Sequence, residues 1–193
     1  MLERTSENPR YTYQDYVRWQ GDDRWELIEG IPFDMSPAPG RKHQAVVGAL
    51  FSQILIFLQD NTCRAYVAPF DVRLPVADEA DDAIETVVQP DITVVCDRSR
   101  LDAAGCRGAP DWVVEVTSPR TSARDRTQKR DLYERSGVRE YWIVDPERQT
   151  VLAARLDAST GCWRPSKEVP ATSVSAPSLF PRLTIDWDLV FRD

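Results

Sequence analysis

Residues 111–145 read DWVVEVTSPRTSARDRTQKRDLYERSGVREYWIVD, and this stretch decides the fold. WVVEV is a short run of β-branched and aromatic residues, the composition of a strand covered on both faces. Ser118-Pro119 ends it, because proline cannot donate to a sheet ladder. Thr121 or Ser122 can cap a helix that runs to about Ser136, and Gly137 can take the left-handed conformation that closes it. REYWIVD is a second strand, turned off by Pro146. A strand–helix–strand unit of this length is long enough for a parallel crossover.

Working outward, residues 42–59 place Val46, Val47, Leu50, Ile54, Phe57 and Leu58 at helical spacing, and Asn61 is a natural stop. CRAYVAPFDVRLPV (63–76) reads as an extended strand interrupted by proline, and ADEADDAIE (77–85) as an acidic loop. TVVQPDITVV (86–95) reads as one strand and residues 97–109 as a loop. From 42 to 145 the order is helix, strand, strand, strand, helix, strand. The expected fold class is therefore α/β (α+β), with an αβββαβ core at about 42–145 and a mixed central sheet.

Upstream, Thr12 can cap a short helix carrying Tyr13, Tyr16, Val17 and Trp19, broken by Gly21–Asp23. WELIEG and IPFDMS form a hairpin about Gly30, which completes an N-terminal helix–hairpin. Downstream, residues 151–157 and 162–169 form a C-terminal hairpin extension, and SLFPRLTIDWDLVF (178–191) is apolar enough to dock. The 193 residues are expected to form a single domain.

Lys and Arg total 24 and Asp and Glu 31, a net charge of −7. That excludes a protein that coats nucleic acid by charge alone. It leaves room for an acidic site with a local basic rim, for which Arg120, Arg124, Arg126, Lys129 and Arg130 are candidates. The cysteines, at 63, 96, 106 and 162, contain no CxxC pair, and His43 is the one histidine. A structural zinc site is not expected. Free thiols in a reducing cytoplasm are the expectation, with no leader in the polar start and no apolar run of the ~20 residues that span a bilayer.

Asp91 lies within VVQPDITVV and Glu115 within WVVEVT. Taken singly, each acid could sit at a strand end, satisfied by backbone N–H groups or an arginine. Alternation puts Asp91 on a face with Thr93 and Val95, and Glu115 on a face with Val113 and Thr117. If the strands are neighbours, the carboxylates meet at one spot. Close carboxylates repel unless a cation lies between them, and a hard divalent ion suits oxygen ligands. Asp125, Lys129 and Tyr133 follow at i, i+4 and i+8, one helical face.

The strings WELIEG, QPDITVV, WVVEVTSPRTSARD and KRDLYERSGVREYWIVDP resemble the Uma-type restriction endonuclease family of the PD-(D/E)XK nuclease superfamily. The resemblance spans roughly residues 10–160. It implies a restriction-endonuclease-like core and a magnesium (or manganese) dependent endonuclease hydrolysing phosphodiester bonds, with DNA as partner. It places Asp91 and Glu115 as metal ligands. The superfamily lysine lies two residues after the glutamate, where this chain has Thr117, and the resemblance suggests that Lys129 supplies the missing charge from the helix.

Secondary candidates are His43 at the start of the first core helix, Glu26 and Thr117. Glu29 and Asp71 are weaker. Tyr133, Tyr141 and Trp142 read as core. The alternative function is a catalytically silent nuclease-fold domain that binds nucleic acid or protein. A homodimer is an expectation, since cutting two strands with one site each takes two copies.

Overall fold

The computed structural model describes residues 9–19, 24–35, 38–174 and 176–192. The break expected at Gly21–Asp23 lies outside them. A short helix α1 (Tyr13–Tyr16) precedes the hairpin β1 (Trp25–Ile28) and β2 (Ile31–Asp34), and α2 (Arg41–Phe57) follows. Next come β3 (Arg64–Val67), β4 (Val72–Arg73), β5 (Val87–Val88), β6 (Ile92–Val95), β7 (Leu101–Asp102), β8 (Gly105–Arg107) and β9 (Trp112–Val116). The helices α3 (Ser122–Arg126) and α4 (Gln128–Ser136) lead to β10 (Glu140–Asp145) and β11 (Thr150–Asp157). Then come β12 (Cys162–Trp163), β13 (Val169–Pro170) and α5 (Trp187–Val190).

The central sheet has the order β12-β11-β10-β9-β6-β3, with β13 also against β11. It is mixed: β9 and β10 run parallel, while β6 is antiparallel to both β3 and β9. Reading α2, β3, β6, β9, α3–α4 and β10 along the chain recovers the αβββαβ core. The C-terminal hairpin pairs β11 with β12.

Alternation along β9 explains its apolar composition. Trp112, Val114 and Val116 face a core built with Val46, Val47, Leu50 and Ile54 of α2 and with Phe180, Leu183, Ile185, Trp187 and Val190 of the docked tail. Val113 faces a second core, containing Leu132 and Tyr133 of α4 and Val72 and Val88 of the other sheet. Glu115 falls on this second face, between α4 and the other sheet.

That other sheet, ordered β2-β1-β5-β4-β8-β7, corrects three expectations. Residues 86–95 are not one strand. The chain leaves β5 at Val88, passes Gln89-Pro90-Asp91 and enters β6 in the central sheet, so Asp91 stands just before a strand. Proline's missing N–H permits that crossing. Residues 63–76 likewise divide between β3 and β4, and residues 97–109 contain the β7–β8 hairpin instead of a plain loop.

Gly105 is required where β8 meets Asp71. It sits at φ +130°, and a Cβ there would lie 2.2 Å from the Asp71 carbonyl oxygen, which accepts the Cys106 N–H. Gly105→Ala is therefore expected to cost about 2–3 kcal/mol of unfolding free energy. A urea midpoint equal to that of the unmodified protein would show that the loop yields instead.

Two further expectations are corrected. The helix expected to run unbroken to Ser136 is interrupted at Thr127 (φ −123°, ψ −88°), with Gly137 at φ +85° closing its second part. Cys63 and Cys96 form a disulfide, whereas Cys106 and Cys162 are free. Cys63 and Cys96 flank the Arg64–Val95 pair of β3 and β6, a juxtaposition that spacing alone does not reveal. No helix among the described residues is long and apolar enough to cross a membrane.

Candidate active site

The β6–β9 register pairs Ile92 with Val114, so one step further Asp91 comes opposite Glu115. Both line a cavity of about 100 Å³, together with Glu26, His43, Asp125 and Lys129. Asp91 is anchored twice through Oδ2, which accepts from the Val116 N–H at 2.8 Å and lies 3.1 Å from His43 Nε2. The backbone bond is what a carboxylate at a strand end requires, and here it also aims Asp91 at Glu115.

Glu115 is buried. Its Oε1 accepts from Lys129 Nζ at 2.9 Å and from the Tyr133 hydroxyl at 2.9 Å. Lys129, 3% exposed, also donates to Glu26 Oε1 at 2.7 Å. Glu26 enters from β1, and its Oε1 accepts the Gln89 N–H at 3.0 Å. The break at Thr127 leaves Asp125 and Lys129 both buried, on separate helical segments, against the same cavity.

Carboxylates exceed ammonium groups in this interior. Burial pushes the Glu115 carboxyl well above the usual range, Lys129 draws it back, and the neighbouring acids push it up again. Burial alone would lower the Lys129 pKa, but Glu115, Glu26 and Asp125 outweigh it, so the side chain stays an ammonium. For His43, burial is likewise outweighed by the bond and charge of Asp91, and the ring pKa rises. Its Nδ1 is buried without a partner.

Burial pushes Asp125 up to about 6, against Lys129 and a hydrogen bond from Thr121. The unfolded chain releases that proton near the ordinary value of 3.8. Between the two values the folded metal-free protein holds the extra proton, so its stability falls as pH rises, and the penalty persists above the folded value. Asp125→Asn should thus raise the melting temperature at about pH 7.5 and give no gain at about pH 4. An unchanged melting temperature at the higher pH would mean the carboxylate is fully compensated.

Several residues singled out above lie elsewhere. Thr117 leaves the cavity: its hydroxyl donates to the Val144 carbonyl at 3.3 Å, because the chain departs from β9 after Val116. Asp71 accepts from the Tyr16 hydroxyl at 3.0 Å and Gln89 Nε2 at 2.8 Å, away from the Asp91–Glu115 pair. Glu29 turns outward at φ +52° and pairs with Arg135. Of the expected basic rim, Arg120 and Arg124 line the cavity, while Arg126 is held by Glu168 at 2.8 Å.

Arg24 was not anticipated. It lines the same cavity and donates to Gln89 Oε1 at 2.7 and 3.0 Å. Phe33 supports Arg124, whose guanidinium lies 4.3 Å from the ring centroid. The first contact involves the crossing segment at Gln89-Pro90 and the second the docked hairpin, for which linear spacing carries no signal.

An αβββαβ core with this mixed central sheet is a restriction-endonuclease-like fold. The chain belongs to the Uma2 family, described as "Putative restriction endonuclease", whose profile matches residues 13–188. Among solved structures it is similar to the crystal structure of a putative nuclease belonging to DUF820 from Anabaena variabilis. The TM-score is 0.72 at 22% identity, covering 93% of this chain and 97% of that one. At that identity the likeness speaks to the fold. No curated protein matches the sequence.

Proposed function

We propose that this chain is a magnesium- or manganese-dependent endonuclease that hydrolyses phosphodiester bonds in DNA. Asp91 and Glu115 would hold the metal, and Lys129 would supply the adjacent fixed positive charge. The observation that carries this reading is the meeting of Asp91, Glu115 and Lys129 at one small cavity in which acids outnumber ammonium groups. A buried excess of carboxylate is costly and is relieved by a bound cation.

The donor set fits magnesium and not zinc. Among the described residues no three His, Cys, Asp or Glu side chains converge on one point. Magnesium keeps several waters and takes one or two carboxylates, whereas a structural zinc site needs four protein ligands. When bound, such an ion polarises the phosphate and lowers the pKa of its water. Asp91 would be held for that role by the Val116 N–H and His43, and Glu115 by Tyr133, whose burial keeps its hydroxyl protonated and donating. Lys129 would stabilise negative charge developing on the phosphate without reorganising. Arg120 and Arg124 at the mouth would bind flanking phosphates, which makes affinity salt-dependent.

Incubation with supercoiled plasmid tests this reading: nicking or linearisation should require magnesium or manganese and stop with chelator. Sedimentation of the complex would show whether two copies engage a duplex. The second reading, a silent domain that binds nucleic acid or protein, is favoured by one feature. Lys129 is already paired with two glutamates and is almost wholly buried. Salt-dependent DNA binding with no cleavage under any divalent metal would select it.

The rim gives a separate prediction. Arg124→Ala should weaken DNA binding several-fold and reduce the slope of log affinity against log salt by about one phosphate contact. Fluorescence anisotropy with a short duplex measures both. An unchanged slope would remove Arg124 from the DNA-facing surface.

A further inference from the structure

Glu26 comes from the other sheet, outside the strand pair that carries Asp91 and Glu115. It is 1% exposed, and its Oε1 is held by the backbone N–H of Gln89 at 3.0 Å as well as by Lys129 at 2.7 Å. Its Oε2 lies 3.9 Å from the Arg124 guanidinium. The main-chain donor fixes Glu26 beside Lys129, as the Val116 N–H fixes Asp91 beside Glu115. Among the described residues, Glu115 has no such main-chain anchor; its hydrogen bonds come from the side chains of Lys129 and Tyr133.

The proposed function creates a conflict at Lys129. If Glu115 gives its lone pairs to a divalent ion, the ammonium loses one of its two carboxylates and gains a like charge nearby. A lysine paired with Glu115 alone would either compete with the ion or be driven from the site. A second, immobile partner removes the conflict. We propose that Glu26 is a positioning residue that retains Lys129 at the site when Glu115 binds metal. The ammonium is thereby shared between two glutamates in the metal-free protein and held by Glu26 in the loaded one. This inference rests on the metal-site reading above.

A double-mutant cycle read by magnesium calorimetry tests it. Glu26→Gln keeps an acceptor for the Gln89 N–H, and Lys129→Gln keeps a donor for both glutamates. Glu26→Gln should weaken magnesium binding roughly tenfold, because Lys129 then stays on Glu115. In the Lys129→Gln background the same change should matter less than about threefold, since no ammonium remains to be held. Equal weakening in both backgrounds would show that Glu26 acts as a ligand or as bulk charge, which overturns the inference and leaves the metal site standing. Absence of magnesium binding in the unmodified protein, or binding indifferent to Asp91→Asn and Glu115→Gln, overturns the metal site and this inference with it.

A second measurement needs no lysine variant. The chain has only three lysines, Lys42, Lys129 and Lys167, so ¹⁵N-lysine labelling resolves the buried ammonium. Its slowly exchanging signal should persist at magnesium saturation in the unmodified protein and be lost in Glu26→Gln. Loss in the unmodified protein overturns the proposal.

Discussion

Asp91→Asn and Glu115→Gln are each expected to reduce metal-dependent plasmid cleavage by on the order of 10²–10³-fold or more, with little change in stability. The two substitutions remove charge and keep shape. An asparagine at 91 still accepts the Val116 N–H through its amide oxygen, the bond that Asp91 makes at 2.8 Å. A glutamine at 115 still accepts from Lys129 and from the Tyr133 hydroxyl. Loss of cleavage with an unchanged urea midpoint would therefore report on chemistry. Cleavage that survives both changes would sink the assignment of these carboxylates, whatever the fold.

The largest effect on stability is expected from Lys129→Ala. Breaking a buried ion pair by removing one partner costs about 3–5 kcal/mol, because the remaining charge is left without compensation. Here two glutamates, 1% and 4% exposed, lose their shared ammonium together. The cost should depend on pH in a defined sense. Burial already holds the Glu115 carboxyl above its unfolded value, and without Lys129 it rises further, so the penalty is full above the folded value and shrinks as acid supplies protons. Urea unfolding at about pH 8 should show a larger loss than at about pH 5. An alanine variant as stable as the parent at the higher pH would mean that Glu26 and Glu115 find other partners.

The most legible part of the fold is the unit from β9 to β10. There the apolar run, the Ser-Pro break, the helix and Gly137 all agree at one scale. The central order α2, β3, β6, β9, α3–α4, β10 follows from runs long enough to show a period. Beyond its β1–β2 hairpin the second sheet was not legible, for a physical reason: β4, β5 and β7 are two residues each, too short for alternation to register. The crossing at Pro90 was equally silent, because VVQPDITVV reads as one strand whether or not its halves join different sheets.

Within the site, alternation and strand adjacency were enough to suggest that Asp91 and Glu115 meet. The depth of Glu26 depends on which face of β1 docks, and local sequence says only that Glu26 and Glu29 differ. Thr117 shows the limit of extrapolating alternation past a strand's last residue. The Cys63–Cys96 bond shows that spacing along the chain is a poor guide to pairing across a sheet.

The contact between Glu26 and Lys129 joins residues 103 apart in the chain. No fragment that ends before Lys129 can make it, and the strand that lies parallel to β9 is made later still. A chain emerging from the ribosome therefore carries Asp91 38 residues, and Glu115 14 residues, ahead of the ammonium, with the neighbouring β10 following at Glu140–Asp145. If the completed centre cuts DNA, the growing polypeptide lacks part of that centre until Lys129 and β10 have been made. Assembly of the centre is thus ordered by contacts distant along the chain.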